Sequence, residues 1–432
     1  MNLLNNPEKR KWMIVVTIFI ALICNYLDRQ LLSILKPTIK AAFDMNDDGY
    51  AFIVNIFLIC YAVMYPISGI LVDRFGPKKV MFLGILAWSA ACIGGGLSTN
   101  MEQFAFFRGL LGLAEPTIFA GQIVAVTVWF EKRQRATAKS PRRPPPTSLC
   151  TAGGSIGTVV APIVIAWLST IFPWNDVFVL AGAIGILIAI VWMAVYADPP
   201  KEILDVTLSE SAANRHHGKA FTWGGLWKTR TLWGVLLIRF VSDPVWYFCL
   251  FWLPGYLQED SGLTLIQVGW VGWIPFLFGA VGGVLTSAWS DKMVRKGMDP
   301  LRARKRMMTL VAVAAPLCIF TPYFNALPPY WNVAAIIASF SLIAIMCLSW
   351  LYTICVVIAE AFPVRNVASV VGITAGFGAV GGAIFNYYVG QLLSTMGPSL
   401  FLVMGVLHWI AVVILWKMTR PEIPQEKQAV QK

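Results

Sequence analysis

Twelve apolar stretches follow one another along this chain, at about 12–35, 50–72, 79–98, 102–129, 151–172, 176–196, 231–257, 266–289, 306–324, 330–357, 366–392 and 397–417. Each approaches the ~20 residues a helix needs to cross a hydrocarbon core. Backbone N–H and C=O groups inside lipid have no water to bond, so such stretches are expected to be helices. Composition agrees: the 432 residues are 57% hydrophobic and 13% charged, where a soluble protein carries roughly 25% charged residues. An all-α integral membrane protein with twelve transmembrane helices is the expectation. The first stretch is too long for a signal peptide core and reads as a retained helix.

The formal net charge of +12 does not point to nucleic acid, because the bases sit in short loops between spans. Lys9, Arg10 and Lys11 precede the first span, and Arg74, Lys78 and Lys79 follow the second. Lys132, Arg133, Arg135, Lys139, Arg142 and Arg143 follow the fourth. Lys292, Arg295, Lys296, Arg302, Arg304, Lys305 and Arg306 follow the eighth. The opposite loops hold Asp44, Asp47, Asp48, Glu102, Glu259 and Asp260, with few bases beyond Lys36 and Lys40. The base-rich side is expected to be cytoplasmic, with both termini on it, in a cell (inner) membrane. The polar stretch 197–230, opening on Asp198-Pro199-Pro200, reads as a cytoplasmic linker. It separates six-helix halves at 12–196 and 231–417, with a tail at 418–432. Halves of this kind suit a secondary transporter built from repeats, with its site where the repeats meet.

Within the first span lies Asn25-Tyr26-Leu27-Asp28-Arg29-Gln30. An acid and a base inside a span are costly to bury and mark a functional site, unless they snorkel to the interface. In the fourth span Arg108, Gly112 and Glu115 fall at i, i+4 and i+7, on one helical face. A base and an acid two turns apart, with a glycine between, make a polar stripe with room for a ligand. Tyr61 in the second span can add a hydroxyl. Arg239 and Asp243 in the seventh span stand at i and i+4, a secondary charge pair. Pro244 and Pro254 are expected to break or kink that span. Trp246 and Tyr247 offer flat faces with polar handles for a sugar-like ligand. Asn386, with Tyr387 and Tyr388, is a weaker candidate of the same kind.

The loop after the second span reads Gly69-Ile70-Leu71-Val72-Asp73-Arg74-Phe75-Gly76-Pro77-Lys78-Lys79. A degraded copy, Gly283 to Lys292 with Asp291-Lys292, follows the eighth. Gly69, Asp73, Arg74, Gly76 and Lys78 form a structural gating motif that resembles the signature of the major facilitator superfamily. Asn25 through Gln30, Arg108 through Glu115, and Asp243 through Pro254 resemble the anion:cation symporters of that superfamily. They are most similar to bacterial hexuronate transporters, from about Lys11 to Lys417. The resemblance implies the major facilitator fold and a proton-coupled sugar-acid carrier. It implies that Asp28 and Glu115 take up protons, and that Arg29 and Arg108 hold the substrate carboxylate or tune those acids. Tyr26, Tyr61, Trp246, Tyr247 and Asn386 are then substrate-binding candidates.

Three departures bear on which sugar acid is carried. Ile118 and Val124 stand where hexuronate carriers have Asn and Lys. Cys347, Leu348, Trp350 and Thr353 replace a His-Gln, Trp, Asn pattern in the tenth span. Ser140 to Cys150, with prolines at 141 and 144–146, replaces helix. It is expected to be a cytoplasmic loop, either a lengthened one or the product of a shifted reading frame.

The eight cysteines are scattered, without C-x-x-C, and His216-His217 lies in a polar stretch. No disulfide framework, metal site or cofactor is expected. Nor is there a nucleophile–base pair that would make this an enzyme. The expected function is uptake of a small organic anion, such as a hexuronate or aldonate, with protons, by a monomer in the bilayer. A proton-independent exchanger or uniporter, or a transport-dead sensor, remain the alternatives.

Overall fold

The computed structural model describes residues 6–130, 146–200, 221–328, 330–396 and 399–422. The six bases from Lys132 to Arg143, most of the expected linker with His216 and His217, and the tail beyond Glu422 lie outside the described residues. Among the described residues the regular structure is helical throughout. Eleven helices are long and apolar enough to cross a membrane. One of them, Asp47–Gly96, runs for 50 residues, ~75 Å at 1.5 Å per residue and more than two hydrocarbon thicknesses. Gly76 interrupts it with φ 79°, a left-handed conformation open to glycine. Pro77 then opens the next segment, so this helix supplies two of the expected twelve spans.

The chain forms two compact units. Unit 1 comprises Met1–Met45 and Ile59–His217. It holds α1 (Pro7–Ile34), α2 (Lys36–Ala42), most of α3 (Asp47–Gly96), α4 (Met101–Ala114), α5 (Pro116–Trp129), α6 (Pro146–Leu168) and α7 (Trp174–Val195). Helix α1 packs most extensively on α6. Gly154 and Gly157 make this possible: a Cβ on Gly157 would sit 2.7 Å from the Ile23 carbonyl oxygen, and one on Gly154 2.6 Å from the Tyr26 ring. Small residues let the two backbones approach, and that approach fixes the turn of α1 carrying Tyr26, Asp28 and Arg29.

Helix α6 corrects the loop expected over Ser140 to Cys150. It begins at Pro146, so the stretch from there to Cys150 belongs to the fifth span. A proline is tolerated in a first turn because its missing N–H would have no intrahelical partner there. Residues 140–145 lie outside the described residues.

Unit 2 comprises Asn46–Leu58 and Gly218–Lys432. Its helices are α8 (Trp223–Trp227), α9 (Arg230–Glu259), α10 (Leu265–Val271), α11 (Ile274–Arg295), α12 (Pro300–Ala312), α13 (Trp331–Ala361), α14 (Val364–Met396) and α15 (Ser399–Met418). Helix α9 runs through both Pro244 and Pro254, so of the expected break or kink the break does not occur. Pro244 cannot donate to the Phe240 carbonyl. Gly381 of α14 packs against that carbonyl instead: a Cβ there would lie 2.1 Å from the oxygen. The ninth span starts earlier than its apolar pattern suggests. Asp299 caps it, accepting from the Arg302 amide at 2.8 Å, so Arg302, Arg304, Lys305 and Arg306 lie in α12 rather than in a loop. Beyond Ala312 the span tightens into a 3-10 helix, Ala315–Ala326.

Candidate functional site

In unit 1 the fourth span divides at Glu115, between α4 and α5. Pro116 has no N–H for the Gly112 carbonyl, which weakens the ladder there. The Thr117 hydroxyl satisfies the neighbouring Ala114 carbonyl at 2.7 Å. From this break the Glu115 carboxylate meets α1. Its Oε2 accepts from Arg29 Nε at 3.0 Å and also from Arg29 Nη2. Glu115 is fully buried and Arg29 is 5% exposed. Both guanidinium bonds converge on the one oxygen, and Glu115 Oε1 has no hydrogen-bond partner.

Aromatic rings enclose the base. The Arg29 guanidinium lies 5.0 Å from the Tyr26 ring centroid and 4.8 Å from that of Tyr61. Ring quadrupoles favour a cation over their faces, so both tyrosines hold Arg29 by the ring. Tyr26 itself meets Phe119 edge-on at 6.3 Å, and Tyr61 packs against Tyr65 at 5.4 Å. Gln30, on the next turn face, donates to the Thr158 carbonyl at 3.0 Å and ties α1 to α6.

Arg108 lies on the preceding turns of α4, 4% exposed. Its guanidinium sits 5.4 Å from Phe104 and 5.2 Å from Phe178. Asp28 is buried, and Glu115 and Arg108 are its charged neighbours. A cavity of about 10 Å³ lies beside Arg108, lined by Cys92, Phe107 and Phe178 among others. That is room for roughly one water. The structure thus brings Tyr26, Asp28, Arg29, Tyr61, Arg108 and Glu115 into one buried cluster. Within it Arg29 and Glu115, on different helices, form a hydrogen-bonded pair.

Asn25 belongs to the marked stretch of the first span but is given no role from the sequence. It is fully buried on α1, and neither its Oδ1 nor its Nδ2 has a hydrogen-bond partner. Its place three and four residues before Asp28 and Arg29, on the same face, was the available signal.

In unit 2, Arg239 Nε donates to Asp243 Oδ2 at 2.6 Å, as the i, i+4 spacing predicts. Ser242 Oγ donates to Asp243 Oδ1 at 3.5 Å. Tyr247 stacks on Phe251 at 6.3 Å, and Trp246 meets Phe276 edge-on at 6.0 Å. Asn386 is committed at both ends of its amide. Its Oδ1 accepts from Trp252 Nε1 at 2.6 Å, and its Nδ2 donates to the Ala51 carbonyl at 3.0 Å and to Asn55 Oδ1 at 2.9 Å. Tyr50 adds a bond to the Phe251 carbonyl at 2.5 Å. These bonds explain why Asn46–Leu58 groups with unit 2. Tyr387 and Tyr388 are about half exposed.

Of the loop motif, Asp73 and Arg74 are exposed, and the Lys78 carbonyl accepts from Trp192 Nε1 at 3.0 Å. The degraded copy is knotted more tightly. Its Asp291 pairs with Arg304 at 2.6 Å, and Arg304 also bonds Glu360 at 3.2 Å and the Ser290 hydroxyl.

Apolar membrane-length helices that carry a buried acid–base pair in each unit define a multi-pass membrane protein. The family model of the Major Facilitator Superfamily matches residues 18–356, and the chain belongs to that family. It is 30% identical over 300 residues to the "Probable L-galactonate transporter" of Escherichia coli K12. That match takes in 67% of this chain and 64% of the relative, so the aligned region spans just under two thirds of that protein. It is 24% identical over 420 residues to the "Hexuronate transporter" of the same strain, covering 94% and 93%. The fold is like that of a solved D-xylose-proton symporter, with a TM-score of 0.72, 12% identity and coverage of 95% and 98%. The protein is a transporter, not an enzyme.

Proposed function

We propose that the protein takes up a sugar acid, a hexuronate or an aldonate, together with protons, as a monomer in the inner membrane. Its six-helix halves, 12–196 and 231–417, are joined by a cytoplasmic linker at 197–230, and both termini, with the tail 418–432, face the cytoplasm. The observation that carries this reading is the buried bond between Arg29 and Glu115. A base whose partner is a buried acid can be released by protonating that acid. The freed guanidinium then takes the planar substrate carboxylate bidentately. Proton and anion each favour the other's binding, which is the coupling that symport requires.

Asp28, between the charges of Arg108 and Glu115, is the second proton carrier. Arg108 is the second base for the anion. Tyr26 and Tyr61 hold Arg29 between their rings and confine the sugar ring. Trp246 and Tyr247 are substrate-binding residues of unit 2, with Arg239 and Asp243 as a pair that sets their helix. Asn386 bears on substrate by fixing Trp252. Gly69, Asp73, Arg74, Gly76 and Lys78 serve gating. The names of the two relatives, an L-galactonate and a hexuronate transporter, support the substrate class.

The test is uptake of labelled hexuronates and aldonates by proteoliposomes, with pH gradient and membrane potential imposed independently. Accumulation of a sugar acid driven by an inward proton gradient is expected. Exchange of internal for external substrate without any response to the pH gradient overturns the coupling and leaves an exchanger.

A further inference from the structure

Unit 1 carries a groove of about 400 Å³ on the face formed by α3, α4 and α5, and its lining is almost wholly apolar. Phe75, Leu83 and Leu113 line it and are 52%, 62% and 40% exposed. On a multi-pass membrane protein, side chains this apolar and this exposed face lipid chains. One lining residue breaks the pattern. Lys79 stands at the end of the groove beside the loop between two spans, and is exposed. Among the described residues no acid pairs with it. The surrounding loop, Asp73 to Lys79, holds Arg74, Lys78 and Lys79 against the single acid Asp73.

We infer that this groove binds one anionic phospholipid, its phosphate at Lys79 and one acyl chain along α3 toward Ala87. From Lys79 to Ala87 is eight residues, ~12 Å of helix, a length that suits a stretch of acyl chain. A basic residue at the mouth of an apolar trough at headgroup level selects for negative charge. The groove is also placed to matter. Its inner wall includes Ala114 and Thr117, the residues on either side of the Glu115–Pro116 break. Gly84 keeps that wall close: a Cβ there would lie 1.9 Å from the Thr117 hydroxyl oxygen. A chain in the groove therefore packs against the turn of the fourth span from which Glu115 reaches Arg29.

The test uses the full-length protein in detergent, given an equimolar mixture of phosphatidylglycerol and phosphatidylcholine with matched chains, and read by native mass spectrometry. One phosphatidylglycerol should be retained, preferred about fivefold, as one lysine near a headgroup supplies. Lys79→Gln should remove the preference while lipid still binds, and Lys79→Arg should restore it. Leu83→Trp, at an exposed position, should fill the groove and lower retention of both lipids without unfolding the protein. Millimolar inorganic phosphate should not displace the adduct, since the chain as well as the phosphate is held. Equal retention of the two lipids by the parent, an unchanged preference in Lys79→Gln, displacement by phosphate, or a protein dimer in place of the adduct would each overturn the assignment.

Discussion

The Arg29–Glu115 bond can be tested without knowing the substrate. Arg29→Met removes the cation from a carboxylate that is fully buried. Removing one member of a buried pair costs about 3–5 kcal/mol, because the other charge is left uncompensated. Glu115→Gln leaves an acceptor for Arg29 but strands its charge, and should cost a similar or somewhat smaller amount. The double variant buries no unpaired charge from this pair. Its loss should fall short of the sum by about 2 kcal/mol or more, which is ~30-fold in the unfolding constant. The same cycle with Arg108→Met in place of Arg29→Met should give a smaller coupling, since Arg29 holds the Glu115 carboxylate by two guanidinium bonds to one oxygen. The assay is reversible unfolding in mixed micelles, followed by tryptophan fluorescence. An Arg108–Glu115 coupling equal to or larger than that of Arg29–Glu115 would refute the pairing, and with it the view that the partner of Arg29 is an acid on another helix.

Four further outcomes are expected. Glu115→Gln should exchange sugar acid in counterflow yet fail to concentrate it on a pH gradient, because an amide carries no proton; accumulation equal to the parent would show that Glu115 is not a coupling acid. Asp28→Asn should also lose accumulation while keeping the Arg29–Glu115 bond, so its stability should change by less than about 1 kcal/mol against the cost of Arg29→Met; a loss as large as that of Arg29→Met would show the two sites to be one. Asn386→Ala removes its bonds to Trp252, Ala51 and Asn55, at a total of about 1–3 kcal/mol; amide exchange over residues 47–58 should speed up, and unchanged exchange would show that this contact does not anchor the segment. Gly157→Leu should force α6 away from α1 and lower thermal stability by several degrees, while Gly69→Leu, where a Cβ would meet nothing within 4 Å, should not; equal effects would remove the close-approach argument.

What could be read from the sequence was what depends on neighbours along the chain. The spans follow from composition over twenty residues, and Arg239 with Asp243 from a single turn of helix. The Arg29–Glu115 bond joins residues 86 apart, and no periodicity in α1 or α4 announces which base an acid will meet. The polar stripe of Arg108 and Glu115 was correct as a helical face, yet silent about the tyrosine rings that hold Arg29. Pro244 and Pro254 do not end their helix, for a related reason. Packing from another helix, as where Gly381 comes close to the Phe240 carbonyl, is not visible in local sequence. The early start of α12 was hidden because four of its bases read as loop. Arg304, buried like Lys305, pairs with Asp291 and Glu360 from two other helices.

The change of pitch in the ninth span has a consequence for reach. A 3-10 helix rises about 2.0 Å per residue against 1.5 Å for an α-helix. The 12 residues of Ala315–Ala326 therefore extend ~24 Å rather than ~18 Å. That gain of roughly one helical turn comes without adding a residue. It lets the basic opening turns of α12 stand clear of hydrocarbon while the far end of the span still arrives at the opposite surface. Winding tighter here does the work that four more apolar residues would do elsewhere, and a substitution that relaxed this segment to α-helical pitch would draw Arg302 and Arg306 toward the lipid.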